Sequence, residues 1–405
     1  MKFSLRFLMS ASAGLAALAV MSPVASAKTV DHEISGHART RMVFEDNDLA
    51  GFASDTDATE RWENRVRLNM DVMPATGLKV RISPQFTHYF GVNTTTGAAG
   101  EPKFTAKEAW MMYSPNNMVT LHVGRQQFAY GNELVFGTNG WFLDTNHHDG
   151  VRATFEFDAG HADVFYLKNT EASSTSGRDS DTFGFYSTFD KMGMMKVVDF
   201  YGVWVDQRSA AALARARFGT FGIRTAADFN AIDMDAEITT NFGKVAGQDI
   251  KGISGDLQLG YNWMDHRVGL GVVYANSEYL EIAPTTHRNS LRAHRYMGDA
   301  NAFSRNNIVA LSLVSNWALS KEFEASVDGY YFMAAKDDHG ITGGVASAAK
   351  RAAGMEADLA IAYTPMEMIS FQTGYALFKP AGGVDDAHGP DKTLHRAYLQ
   401  GMVRF

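Results

Sequence analysis

From Ile34 to Phe44 the chain alternates residue by residue. Ile34, Gly36, Ala38, Thr40, Met42 and Phe44 fall on one parity, and His37, Arg39 and Arg41 on the other. The next run sets Trp62, Val66, Leu68, Met70 and Val72 against Arg61, Glu63, Arg65, Arg67, Asn69 and Asp71. A third sets Leu78, Val80, Ile82, Phe86 and Phe90 against Lys79, Arg81, Ser83, Gln85 and Thr87. A period of two means strands with one apolar and one charged face. A helix would spread these charges around its whole circumference.

The pattern continues, less cleanly, near 103–113, 118–128, 150–157, 161–169, 182–189, 196–206, 216–226, 233–242, 252–263, 267–275, 307–318, 322–335, 354–363, 368–379 and 393–405. Short turns such as Pro74-Ala75-Thr76-Gly77 and Asp158-Ala159-Gly160 alternate with long polar or glycine-rich loops, 46–58, 91–102, 170–181, 276–306, 336–353 and 380–392 among them. Short turns on one side and long loops on the other are the signature of an outer-membrane barrel.

A soluble β-sandwich also alternates, but it gives no reason for aromatics to gather at strand ends. Tyr113, Phe157, Phe189, Trp263, Trp317 and Tyr363 each lie beside a short turn, and Phe44, Trp62 and Phe90 lie on the loop side. Amphipathic rings in two girdles belong at the two membrane–water interfaces. The fold class expected is therefore all-β, a transmembrane antiparallel β-barrel of 16–18 strands. Eighteen is favoured, and sixteen follows if one hairpin within 161–242 is misread. The count must be even because both termini lie on the periplasmic side.

The expected domain organisation is a signal peptide over 1–27 and the barrel over 28–405. Lys2 and Arg6 precede an apolar stretch from Phe7 to Val20, and Ala25-Ser26-Ala27 offers a small-residue cleavage site. No later stretch has the roughly 18 consecutive apolar residues of a membrane helix. Removing the two leader cations from 37 basic and 45 acidic residues leaves 35 against 45, a net charge of −10. Such a balance argues against a nucleic-acid partner. With no cysteine, neither disulfides nor a lipidated thiol can anchor the chain.

The third external loop carries the most information. It follows Val123-Gly124-Arg125-Gln126-Gln127-Phe128 and runs through Gly131-Asn132-Glu133-Leu134-Val135-Phe136-Gly137 and Trp141-Phe142-Leu143-Asp144 to Asp149-Gly150-Val151-Arg152. Its apolar residues are too many for a solvated tip. The loop is expected either to fold into the pore, the favoured reading, or to lie over a neighbouring subunit. Simple parity sends Arg125 outward with Val119, Leu121 and Val123. A bulge at Gly124 would turn it into the lumen, and that is the expectation, because an arginine in the apolar band is costly. Otherwise it sits at the rim or at a subunit contact.

Arg39, Arg41, Arg61, Arg65, Arg67, Lys79 and Arg81 come from three adjacent strands and form one basic wall, joined by Arg125 and Arg152 as pore-lining residues. Glu133 and Asp144 of the third loop are expected to oppose that wall, with Phe136 and Trp141 narrowing the pore beside them. Charges facing each other across a pore set up a transverse field that sorts solutes by charge and dipole. Few aromatics have clear lumenal parity, so no lumenal aromatic track for sugars is expected. No catalytic constellation stands out, and His147-His148-Asp149 reads as a polar loop end rather than a metal site. Neither a cofactor nor a metal is implied.

The motifs Glu108-Ala109-Trp110, Gly124-Arg125-Gln126, Asp149-Gly150-Val151-Arg152 and terminal Phe405 resemble those of the homotrimeric porins of sulfate-reducing, Desulfovibrio-type bacteria. Phe221-Gly222-Ile223-Arg224, Asp233-Met234-Asp235-Ala236-Glu237 and Phe242-Gly243 are similar, more loosely, to alginate-export-type barrels. General bacterial porins carry a like Gly-Arg strand end before an inward-folded third loop. The resemblance implies passive diffusion of small hydrophilic solutes and ions through a trimer. Its expected partners are outer-membrane lipid, lipopolysaccharide and, through Phe405, the barrel-assembly machinery. Small outward residues at Gly36, Ala38, Thr40, Ala397 and Gly401 suggest a subunit contact near the barrel closure. A substrate-selective channel or exporter, for a sugar or an organic acid, is the alternative function.

Overall fold

The computed structural model describes residues 30–46, 59–92, 101–170, 179–208, 215–284, 297–300, 303–336, 352–381 and 393–405. The leader expected over 1–27 lies outside these described residues. Eighteen strands close into one antiparallel barrel. They begin with β1 Asp31–Asp46, β2 Thr59–Ala75, β3 Leu78–Tyr89, β4 Lys103–Asn116, β5 Val119–Gln126 and β6 His148–Phe157. Next come β7 Gly160–Thr170, β8 Ser180–Met192, β9 Met195–Gln207, β10 Ala216–Phe229, β11 Ile232–Val245 and β12 Gln248–Trp263. The ring finishes with β13 His266–Ala275, β14 Ile308–Ala318, β15 Phe323–Ala334, β16 Ala352–Met366, β17 Ile369–Pro380 and β18 Leu394–Arg404.

Closure is made by β1, which pairs with β2 on one side and β18 on the other, Thr40 standing opposite Asn64 and Gly401. Closing the ring removes every unpaired strand edge, which a membrane requires. The alternation places the two faces as expected. Val327, Leu270, Leu313 and Met355 are among the large apolar residues exposed on the outside, whereas Arg39, Arg41, Arg65 and Arg67 are buried on the inside. Pro84, which has no backbone donor, is accommodated by a register shift between Ser83 and Pro84.

The aromatic rims are built by cross-strand contacts. At the short-turn end Phe157 meets Phe189 at 5.5 Å, Trp263 meets Trp317 at 5.5 Å, and Phe323 stacks on Tyr363 at 4.4 Å. At the loop end Trp62 stacks with Phe90 at 6.1 Å. One external connection is only two residues long: Ala246 and Gly247 both have positive φ, 51° and 84°, the geometry of a tight hairpin.

The hydrophobic core lies inside the barrel. Phe128, Tyr130, Val135 and Phe136 of the third loop pack on Phe165, Leu167, Tyr186 and Tyr201 of the inner wall. A second cluster joins Leu134 and, from the seventh external loop, Tyr279, Met297 and Phe303 to Phe332, Phe378 and Leu394. The two loops meet in a parallel bridge, Phe136 opposite Ala283. Gly137 donates to the Ala283 carbonyl at 2.9 Å, and the Ala283 amide donates to Val135 at 3.0 Å. The lumen is thus narrowed by two mutually bonded loops seated on apolar patches of its wall.

Candidate functional site

The lumenal face of β1 to β3 divides by height. Near the external end, Arg61 pairs with Glu45 at 2.6 Å and Glu63 at 2.9 Å, and Arg41 also pairs with Glu63. Near the periplasmic end, Lys79 and Arg81 share Asp71 at 2.7 and 2.6 Å. Between them, Arg39, Arg65 and Arg67 hold no carboxylate among the described residues. Their partners are neutral.

Arg39 donates to the Gly140 carbonyl at 3.1 Å. Arg65 donates to the carbonyls of Gly140 at 2.9 Å and Phe142 at 2.7 Å, and to His37 at 3.2 Å. Arg67 binds Gln85 at 2.7 Å, Thr145 at 2.6 Å and Gln127 at 3.1 Å. Gln85 in turn donates to the Leu143 carbonyl at 3.0 Å. The third loop therefore crosses the basic wall as a strap over 140–145, held by backbone oxygens. Trp141 fixes its edge, with the Arg41 guanidinium 4.0 Å over its ring and Tyr398 at 4.8 Å in an edge contact. Carbonyl dipoles solvate guanidinium groups without cancelling their charge, so mid-height positive potential persists.

Several expectations need correction. Glu133 does not face the basic wall: it caps its own loop, accepting from the Thr138 amide at 3.1 Å, at a positive φ of 58°. Asp144 pairs with Lys107 of β4 and is otherwise exposed. The acids that stand across the barrel from β2 come instead from wall strands β11 and β12, nine or ten places round the ring of 18. Asp235, Glu237 and Asp256 are buried there, with Arg224 bridging Asp199 at 2.9 Å and Asp235 at 2.5 Å, and Arg305 on Asp256 at 3.0 Å. Asn132 of the third loop also bonds Asp235. On β16, Glu356 and Asp358 accept the amides of Ala300 at 2.7 Å and Asp299 at 2.8 Å, anchoring the seventh loop. These acids share the parity rule that revealed the basic wall.

Arg125 does not turn inward. Pairing stays in register through Gly124, with Arg125 opposite Asp149 and Val123 opposite Val151. Arg125 lies on the face of Val123 and Val151, at the external rim, bound to Asp149 at 2.7 and 2.8 Å. That two-bond pair removes the cost that motivated the bulge. Gly124 is still needed, since its φ is 126° and a Cβ would stand 2.3 Å from the Ala109 carbonyl. Arg152 is lumenal, 3.8 Å from Asp163 and 5.3 Å over the Phe128 ring. Phe136 is fully buried in the loop's seat. His148 packs edge-on against Phe128 and Phe136 at 5.7 and 5.5 Å.

Aromatics are also more numerous inside than parity suggested. Tyr130, Tyr186 and Tyr201 form a stacked row at 4.3 and 5.4 Å. Tyr130 belongs to the loop, and Tyr186 and Tyr201 lie buried beneath it, so the row shapes a seat and offers no open track.

A closed barrel with an apolar belt, aromatic rims and a charged lumen narrowed by its own loops defines an outer-membrane channel. More particularly, the chain belongs to the alginate export family, whose profile matches residues 31–397. The alginate production protein AlgE of Pseudomonas aeruginosa is 28% identical over 207 residues, 42% of this chain and 40% of that protein. The match thus spans two fifths of that relative's length. Among solved structures, Pseudomonas aeruginosa OccK2 (OpdF) in complex with glucuronate aligns with a TM-score of 0.66 at 8% identity, over 93% of this chain and 98% of that one. OprD of the same organism aligns with a TM-score of 0.63 at 12% identity, over 95% and 97%. At these identities the likeness is one of fold.

Proposed function

We propose that this channel passes carboxylate-bearing hydrophilic solutes, selecting anions along the face formed by β1 and β2. The observation that carries the reading is the trio Arg39, Arg65 and Arg67, buried at mid-height and bonded, among the described residues, to neutral oxygens and nitrogens. Leaving buried guanidinium groups without acids costs stability. Their charge, solvated by the strap carbonyls but not cancelled, draws a passing carboxylate along this face. Membership of the alginate export family and a relative named for alginate production agree with a sugar-acid cargo. Two mutually bonded loops seated inside the lumen favour a selective channel over a general diffusion pore. Reversal potentials in a salt gradient test this directly. Anion preference that falls on Arg65→Gln supports the reading, and cation preference in the unaltered protein overturns it.

A further inference from the structure

A cavity lies apart from the strap and the basic wall. At the external ends of β5 to β11, the third and seventh loops enclose a space of about 650 Å³, within the range of small-molecule sites. At roughly 30 Å³ per water it holds about 20 waters, more than a single sugar ring displaces.

The lining has two chemically distinct sides. Val205, Phe218, Val245, Leu280 and Ile282 form an apolar side. His147, Asn169, Ser180, Thr182 and Gln207 form a neutral polar side. The cations at its margin already hold acids: Arg125 holds Asp149 at 2.7 Å, and Lys168 holds Asp181 at 3.0 Å and Asp179 at 3.6 Å. Burial lowers the pKa of His147 against the opposing pull of the Thr145 carbonyl. Its Nδ1 lies 3.1 Å from that carbonyl, so in the neutral ring Nε2 is an acceptor. Burial likewise raises the Glu281 carboxyl, which also lines the space.

We propose that this outer vestibule binds an uncharged sugar of two or more rings. Sugar rings carry hydroxyls around their edges and C–H groups on their faces. Such a ligand accepts from the Thr182 hydroxyl, whose oxygen already takes a hydrogen bond from Asn169 at 2.8 Å, and bonds Gln207 on one side while covering Phe218 on the other. A carboxylate gains little here, because the marginal cations already hold acids and Asp149 itself lines the space. A hydrocarbon strips water from the polar side without replacing its hydrogen bonds. The site is therefore separate from the basic wall in position and in chemistry.

The test is calorimetric titration of the refolded barrel, in a detergent without a sugar headgroup, using cellobiose and maltose as probes and glucuronate as the charged control. At least one disaccharide is expected to bind in the millimolar range, more tightly than glucuronate. Ala216→Trp, which fills the cavity, abolishes binding. The double variant Thr182→Val, Gln207→Leu, which keeps the shape, weakens it about tenfold. Failure of both disaccharides to bind overturns the proposal. So does tighter binding of glucuronate, or undiminished binding in an Ala216→Trp barrel that remains heat-modifiable on gels.

Discussion

Arg65 holds the Gly140 carbonyl oxygen at 2.9 Å, which places a backbone dipole where a solute carboxylate would otherwise lie. The same oxygen accepts from Arg39 at 3.1 Å, so two strands of the wall share one loop atom. The contact couples selectivity to occlusion: the groups that attract anions also hold the strap that narrows their path.

Replacing Arg65 and Arg67 by Glu should shift selectivity towards cations, with the sign of the reversal potential changing in a salt gradient. Arg81→Glu should do less, because Arg81 is already compensated by Asp71 at 2.6 Å. Equal effects from both variants would remove the distinction between mid-height and periplasmic arginines.

Deleting residues 132–146 should raise single-channel conductance several-fold, since this segment crosses the lumen from Asp235 to Arg67. Conductance that stays at the wild-type level would place the narrowest point in the seventh loop.

Gly124→Ala should destabilise the barrel by about 1–3 kcal/mol, the usual cost of a strained backbone position. Its φ of 126° and the Ala109 carbonyl 2.3 Å from the added Cβ leave no relaxed solution. Gly329→Ala, which meets nothing within 4 Å, serves as the control. The midpoint of heat-modifiability on gels reads the difference.

The strands and the inward loop were legible because both rest on local pattern: period-two alternation, and apolar residues such as Leu134 and Phe136 with nowhere to go outside. The position of Arg125 was not legible. Its strand neighbours argued for a bulge, and the answer lay in Asp149, a residue 24 positions on that pairing brings opposite. The acidic wall was readable in principle, since Asp233, Asp235 and Glu237 alternate as cleanly as the arginines do. What hides its role is that Arg224, Arg267 and Arg305 come from other segments to cover it. The tyrosine row escaped notice because parity says which way a ring points and not what covers it.

Homotrimeric assembly is a proposal from the porin resemblance. Two of the small outward residues have neighbours within the chain: a Cβ added at Gly36 would lie 3.0 Å from the Phe405 ring, and one added at Gly401 would lie 3.5 Å from the Phe371 ring. Ala38 is the better probe of a subunit contact. A trimeric mass in mild detergent that falls to a monomer on Ala38→Trp would support assembly at the barrel closure. A monomeric wild type would end the idea.

The bridge between Phe136 and Ala283 sets how far the two loops can separate. Opposed ladder residues lie within the Cα separation a disulfide spans, about 4.4–6.8 Å, and the native chain has no cysteine to interfere. In a Phe136→Cys, Ala283→Cys variant, loss of the buried ring should loosen the third loop's seat. Reduced channels are then expected to be noisier and more conductive than wild type. Oxidation adds a covalent link to the two backbone hydrogen bonds and should return conductance to the wild-type level or below. Because both states belong to one variant, the comparison is free of differences in folding or insertion. Identical conductance in the two redox states, with the disulfide confirmed by mass, would show that the third and seventh loops do not separate during conduction.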